Sequence, residues 1–366
     1  LAGFIRQKPV EMVKCITVSL KVPAEAEFII EGYVDPGELR VEGPFGDHTG
    51  YYSLKGDYPV FHVTAITHRK NPVYSATIVG RPPMEDCYMA LATERLFLPM
   101  IKTVLPEITD YTLPWEGVFH NIAVVSIDKE YPGHAVKVMN GLWGSGQMSF
   151  AKMLVLVDNQ SLLDERLILM QHILDTIDPG SDIIFTKGIL DVLDHSADRP
   201  LYGSKIGIDA TLRIDGEDKR PGNYIHGKMN SKLLEASTLS IDKKITAARA
   251  AFNECNNRLI IITVKKSGKF NSNYFIKKIK SSAIKSEGII VIFDHDLDIN
   301  NDSVLLWKVF NNVDPVRDIV IEKNFMIIDA TKKGVNDGHH REWPDDIVMS
   351  KEVVERVDLL LKSQKL

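Results

Sequence analysis

Cysteine is scarce in this sequence: Cys15, Cys87 and Cys255 are the only three in 366 residues, odd in number and far apart. That excludes a disulfide framework and suits a reducing compartment such as the cytoplasm. Long apolar runs are missing as well, none approaching the roughly 18 residues a membrane-spanning helix needs. Excess basic charge is also lacking, with 44 Lys and Arg against 49 Asp and Glu and a net charge of −5, so nucleic acid is not expected as the main partner. The lysine-rich stretch "YFIKKIKSSAIK" (274 to 285) has helical spacing and reads as one solvated helix face. No signal peptide is visible, and the first residue is Leu rather than Met. What remains, 44% hydrophobic and 25% charged, is the composition of a soluble globular protein with enough apolar residues for two or three cored domains.

Against that background one stretch stands apart, "EGPFGDHTG" (42 to 50). A Gly-Pro-x-Gly run fixes φ at the proline and permits positive φ at the glycines, so Glu42 and Asp47 can be held on one tight loop, followed by His48 and Thr49. Two carboxylates forced together cannot both ionise cheaply, and one of them becomes able to donate a proton near neutrality. A solvated surface turn could carry the same residues, so the loop by itself leaves both readings open. The flanking runs "EMVKCITVSL", "EFIIEGYV", "PVFHVTAITHRK" and "VYSATIVG" are β-branched and aromatic, with "KVPAEA" and Asn71-Pro72 as connections, which predicts an antiparallel β-domain around the loop.

"CYMALATERLFLPMIKTVL" (87 to 105) predicts a helix capped by Asp86, with Met89, Leu96, Phe97, Met100, Ile101 and Val104 as its apolar stripe and a kink at Pro99. Arg81 just before it could bind an anion or pair with Glu85 or Asp86. From about residue 115 the apolar runs 121–127, 153–158 and 182–186 are continuous and alternate with amphipathic segments 134–142 and 162–177. Strands buried on both faces of a largely parallel sheet read this way. The pattern then recurs. Asp158 and Asp294, Asp178-Pro179 and Asp314-Pro315, and Asp182 and Asp318 are each separated by 136, which predicts an internally duplicated α/β unit. "IDAT" also occurs twice, at 208 and 328, but at a separation of 120, which leaves the register open beyond Asp318. "GLWGSGQM" (141 to 148) follows a helix instead of opening one, so it fails as a dinucleotide fingerprint, and adjacent His339 and His340 with Glu342 lack the spacing of a metal site.

The stretches "EGYVDPGELRVEGPFGDHTGYY" (31 to 52), "FHVTAITHRKNPVYSATIVGRPPMED" (61 to 86), "LPWEG" (113 to 117), "YPGHAVKVMNGLW" (131 to 143) and "GSKIGIDAT" (203 to 211) together resemble the UbiD family of carboxy-lyases. These decarboxylases use prenylated FMN and include the 3-octaprenyl-4-hydroxybenzoate decarboxylases of quinone biosynthesis. The resemblance implies that Asp47 is the catalytic proton donor and that Glu42 shares its acid-base network, while Glu31 and Glu38 lie outside that role. The network's arginine, the ligands for a divalent metal such as Mn2+, and any K+ site fall in segments that would precede Leu1. Lys152 could reach the cofactor's phosphate or be an ordinary solvated lysine. The implied fold is α+β followed by α/β: part of an antiparallel split β-barrel with a linker helix (1–112), a first α/β copy (113–211), and an inserted second copy with a C-terminal helix (212–366).

The expected function is non-oxidative decarboxylation of a hydroxybenzoate- or naphthoate-type acid on a quinone pathway. Its implied partners are the small aromatic acid, a flavin prenyltransferase as cofactor supplier, and further copies of the chain in a dimer or hexamer. The location is cytoplasmic, and peripheral to the membrane if the substrate is prenylated. Two other readings stay open, an assembly portion that is inert without an N-terminal half, and a nucleotide-dependent α/β oxidoreductase that rests on fold alone.

Overall fold

The computed structural model describes residues 2–218, 230–282, 284, 288–322 and 325–364. A short helix α1 (Ala2–Arg6) leads into a two-stranded pair, β1 (Met12–Lys14) and β2 (Lys21–Pro23), and then into β3 (Phe28–Glu42). After the small strands β4 (Phe45–Gly46) and β5 (Tyr52–Ser53), β6 (Gly56–His68) returns antiparallel along β3 as a long ribbon. The described strands of this part pair two by two and close no barrel among themselves. Glu31 is buried on the ribbon, where its carboxylate accepts from the backbone N–H groups of Ile16 (2.9 Å) and Thr17 (2.6 Å) and from the Thr17 hydroxyl (2.8 Å). Those bonds, the backbone ones above all, hold it below the ordinary glutamate range and tie β1–β2 to β3. Two sequence expectations change here. Lys21 to Pro23, read as a loop, is β2, and 73–80, read as a strand, carries no ladder, since no described strand pairs with it.

Residues 1–86 with 344–366 form one unit and 87–343 a second. The second begins with α2 (Asp86–Val104), whose buried residues are Cys87, Ala90 and Glu94, with Leu98 and Ile101 against the core. Half of the predicted stripe faces this way: Phe97, Met100 and Ile101 are half-buried, whereas Met89, Leu96 and Val104 are exposed. There follow β7 (Ile108–Thr112), β8 (Ile122–Ile127), α3 (His134–Trp143), β9 (Met153–Val157), α4 (Arg166–Thr176), β10 (Ile183–Ile189) and β11 (Tyr202–Asp209). They make a five-stranded sheet of order β10-β11-β9-β8-β7, parallel across β11, β9 and β8 and antiparallel at both edges.

A second sheet follows. Helix α5 (Ser231–Ser240), β12 (Ile245–Ala251), β13 (Leu259–Val264), α6 (Ser272–Lys280), β14 (Ile289–Asp294), α7 (Asp302–Asn312), α8 (Pro315–Asp318), β15 (Ile319–Glu322) and β16 (Phe325–Asp329) form a second sheet of order β12-β13-β14-β16-β15. Element for element this is the first order read from the other end, again with a parallel centre and antiparallel edges. The closing helix α9 (Lys351–Gln364) groups with the first unit instead.

Continuous apolar strands follow from having both faces covered. Val124 of β8, Val155 of β9, Ile261 of β13 and Val291 of β14 meet in one cluster shared by the two sheets. Their neighbours point the other way. Val125 and Leu154 pack with α3 residues Val138 and Met139, and Ile262 and Ile290 with α6 residues Phe275 and Ile279.

Both "IDAT" segments occupy one structural position, the end of the last parallel strand. Asp209 Oδ1 accepts from Thr211 N (3.0 Å) and Oγ1 (2.5 Å), and Asp329 Oδ1 accepts from Thr331 N (3.0 Å) and Oγ1 (2.6 Å). Beside each lies a partly buried lysine. Lys129 Nζ donates to Thr211 Oγ1 (2.9 Å), Leu212 O (3.1 Å) and Glu217 (2.7 Å); Lys266 Nζ donates to Thr331 Oγ1 (3.0 Å), Lys332 O (2.8 Å) and Asp337 (2.8 Å). The offset falls from 136 to 120 because β10 and β11 are longer than β15 and β16 and are joined through 190–201, whereas β15 ends at Glu322 and β16 starts at Phe325.

That extra connection carries a buried ion pair. Lys152 Nζ donates to Asp194 Oδ2 (2.7 Å) and Ser196 Oγ (2.8 Å), and all three residues are out of solvent. Burial alone would raise the Asp194 pKa, but the Lys152 ammonium beside it holds the carboxyl well below the aspartate range.

Lys152→Met should therefore leave an uncompensated buried charge and lower unfolding stability by about 3–5 kcal/mol, read by denaturant melts, whereas Lys152→Met with Asp194→Asn should recover much of the loss. Because the folded Asp194 pKa is depressed, the pair's stabilisation is complete above the unfolded value of about 4 and fades as pH falls toward the folded one, so the wild-type advantage over Lys152→Met should shrink in acid. In the ribbon, a Cβ on Gly32 would lie 2.0 Å from the carbonyl oxygen of His62, where the β3–β6 register shifts. Gly32→Ala should cost about 1–3 kcal/mol by the same measurement.

Candidate active site

The acid loop is a second, smaller hairpin stacked on the end of the ribbon. β3 and β6 finish with Glu42 opposite Gly56, and β4 and β5 continue with Phe45 opposite Ser53 and Gly46 opposite Tyr52. Gly43 joins the two tiers at φ 89, where a Cβ would also press within 3.2 Å of the Leu54 carbonyl oxygen, so only glycine fits without strain. At the tip, Asp47 N donates to Tyr51 O (3.2 Å), and Gly50, at φ 83, donates its N–H to Asp47 O (3.1 Å).

A third strand-like segment comes from the far end of the chain. Tyr52 N donates to Asp345 O (2.9 Å), Ile347 N donates to Gly50 O (2.8 Å), and Tyr51 bridges to Asp346. The Ile347 side chain sits over Gly46, whose hydrogen leaves the room for it. Thr49 and Tyr51 are buried by this arrangement, while the Asp47 and His48 side chains stay about a quarter exposed, at 24% and 27%.

Asp47 Oδ1 accepts the His48 backbone N–H (2.7 Å) and lies 2.7 Å from the His48 ring nitrogen Nδ1. This fixes the carboxylate's rotation and puts an imidazole at hydrogen-bond distance from it. Glu42 lies at the foot of the hairpin with its side chain exposed. The sequence argument put Glu42 and Asp47 on one loop, which they share, but the group closely paired with Asp47 is His48. Glu38 is also removed from the acid, holding His62 Nε2 at 2.5 Å and Arg40 at 2.7 Å.

Lys152 departs from its expected place. Its ammonium is wholly enclosed and occupied by Asp194 and Ser196, so it does not present a charge to a cofactor phosphate. The adjacent histidines face different partners: His339 is buried with Nδ1 3.1 Å from Arg317 and its imidazole pushed down to about 4 by burial, whereas His340 is exposed beside Asp198. No group of three or more metal-ligating side chains gathers among the described residues. Gly146–Phe150, overlapping the end of "GLWGSGQM", form a short turn of 3-10 helix after α3.

The residues that sequence reading missed are Asp345, Asp346 and Ile347. They lie in "HHREWPDDIVMSKEVVERVDLL" (339 to 360), which resembles the C-terminal segment of the UbiD family but says nothing about where it docks.

Comparison with known proteins agrees with this architecture. An uncharacterized protein of Helicobacter pylori (strain J99) is 39% identical over 360 residues, 98% of this chain and 57% of the relative. The chain thus spans little more than half the length of that relative. Vanillic acid decarboxylase of Sedimentibacter hydroxybenzoicus, in closed form, superposes with a TM-score of 0.53 at 25% identity, over 61% of this chain and 47% of that one. HmfF of Pelotomaculum thermopropionicum, a UbiD-class enzyme in complex with FMN, is 32% identical over 59% of this chain and 49% of that one, with a TM-score of 0.47. Residues 1–82 match the Rift-related domain of 3-octaprenyl-4-hydroxybenzoate carboxy-lyase, and 87–210 and 228–340 match its C-terminal domain, so the chain belongs to the UbiD family.

Proposed function

We propose that the protein to which this chain belongs is a prenylated-FMN-dependent decarboxylase of an aromatic acid, hydroxybenzoate- or naphthoate-type, on a quinone pathway, with Asp47 as proton donor. The observation that carries the reading is the Asp47–His48 pair, a quarter-exposed carboxylate locked at the tip of a three-stranded turn. Family membership supports the rest.

When bound, the prenylated flavin supplies the electron sink for loss of carbon dioxide. Of the residues described, the acid loop fits the proton-delivery side of such a site; with Lys152 enclosed, no identified residue of this chain fits the phosphate. Loss of carbon dioxide leaves an electron pair on the ring carbon, which must take up a proton from an acid within hydrogen-bond reach. Asp47, protonated, delivers it from a carboxyl already oriented by His48, and Asp47 regains a proton from solvent, relayed through the His48 ring. Glu42, at the exposed foot of the hairpin, biases the acid's protonation through its charge.

We also infer that the two lobes of 87–343 are copies of one unit. The shared strand order and the twin lysine–threonine–carboxylate nodes support this. The second copy has no counterpart of the acid loop and serves packing.

In the complete protein, Asp47→Asn should leave flavin binding intact and lower turnover by at least about a hundredfold, the usual worth of a positioned general acid. Carbon dioxide release and flavin absorbance measure the two separately, and wild-type turnover in the variant would reject the role. Glu42→Gln and His48→Gln should give smaller losses, with a displaced pH profile.

A further inference from the structure

The two lobes of 87–343 provide an internal control, because equivalent positions can be compared within one chain. Aligned on Lys129 and Lys266, residues 103–145 hold two basic and five acidic side chains, while 240–282 hold ten basic and two acidic. The folds of the two stretches correspond, β8 and α3 in one and β13 and α6 in the other, so packing does not demand the change of sign. Lys244 stands where the first lobe has Glu107, and Lys265 where it has Asp128.

These lysines are gathered rather than scattered. Phe270 and Tyr274 meet edge to face with centroids 4.9 Å apart. The ammonium groups of Lys244 and Lys269 lie 4.1 Å and 5.5 Å from the Phe270 centroid, and that of Lys278 lies 5.7 Å from the Tyr274 centroid. Lys243, Lys265, Lys269, Lys277 and Lys278 are exposed. Two acids lie among them: Asp242, 4.0 Å from the Lys278 ammonium, also accepts from the Tyr274 hydroxyl and the Lys244 backbone N–H (2.9 Å), and Asp337 is taken up by Lys266 (2.8 Å). Across the same hollow Val335 is 70% exposed beside Phe270 and Lys266.

We propose that this face of the second lobe docks on an anionic lipid surface. The exposed cations are all lysines, since Arg249 pairs with Asp302 and Arg258 is buried. Compact point charges suit a diffuse layer of headgroups, whereas bidentate reading of a nucleic acid favours arginine. The exposed Val335 adds an apolar contact that a headgroup layer accommodates and a phosphodiester backbone does not. No described helix is long and apolar enough to cross a membrane, so this contact is a surface one. With the whole chain at −5, a basic face of this kind orients the approach to an anionic surface. The inference does not depend on which acid is decarboxylated.

The test is sedimentation of the full protein with vesicles of phosphatidylcholine, with and without phosphatidylglycerol, at low and high salt. Wild type should partition only onto the anionic vesicles and come off in high salt. Lys269→Glu with Lys277→Glu and Lys278→Glu should reduce partitioning by at least about tenfold, and the triple Arg variant should retain it. Should the reversed variant fail to fold by circular dichroism, the milder triple Gln variant carries the test, with a severalfold loss expected. Absence of wild-type partitioning at low salt, or equal partitioning of wild type and the folded variant, would overturn the proposal. So would variant-sensitive binding to a mixed-sequence duplex oligonucleotide with none to vesicles, which would make the face a nucleic-acid site.

Discussion

A parallel sheet with apolar side chains on both faces cannot stand in water on either side, and the second unit is arranged around that constraint. Each lobe has a three-stranded parallel centre, and each covers one face with its own helices. The other two faces, with Val124, Val155 and Ile206 on one and Ile261, Val291 and Met326 on the other, have only each other and the helices α4 and α7 between them. The seam is reciprocal. Asn257, before β13, donates to the carbonyls of Leu174 (2.9 Å) and Ile177 (2.7 Å) at the end of α4; Asn121, before β8, donates to Asn311 (2.9 Å) in the last turn of α7. Contacts of this kind are those of a symmetric dimer, here made within one chain.

The same constraint explains the buried charges. A crossover helix packed on a parallel sheet leaves backbone groups at the strand ends and at the helix start with no ladder partner. In each lobe a lysine and a carboxylate serve both. Glu217 accepts the Gly133 N–H (3.4 Å) ahead of α3, Asp337 accepts the Ser272 N–H (2.9 Å) at the start of α6, and the paired lysines reach the carbonyls beyond the last parallel strand. Burial opposes ionisation of both acids, but the ammonium at hydrogen-bond distance outweighs it and holds them below their ordinary range. The first lobe has the extra connection 190–201 to close, and does so with Lys152, Asp194 and Ser196.

Periodicity and repetition made much of this legible from the sequence. Strands β8, β9 and β14 and helix α3 are local patterns, and each depends on residues close in the chain. What could not be read was which side of an element meets a distant partner. In α2 two apolar stripes compete, and Met89, Leu96 and Val104 lost to Cys87, Ala90 and Glu94 because Glu94 accepts the Leu113 N–H (2.7 Å) and draws that side inward. Lys152 is ambiguous for the same reason: a lysine before a buried strand becomes an enclosed ion pair only if a carboxylate 42 positions away folds over it. The glycines around Glu42 and Asp47 correctly marked a strained, tight loop, yet they could not show that the imidazole next in sequence would turn back onto Asp47.

Order at the acid loop comes from residues nearly 300 positions later. A two-residue pair such as β4–β5 has too few ladder bonds to hold a side chain to catalytic tolerance. The segment 345–347 adds backbone bonds on both sides of the tip, through Tyr52 N and Gly50 O, and seats Ile347 against Gly46. Burial of Thr49 and Tyr51 beneath it leaves His48 and Asp47 as the exposed edge of a fixed surface. The imidazole and the carboxylate thereby share one hydrogen bond without either having to search for the other, and the entropy of that alignment is lost during folding, as the proposed role of Asp47 requires.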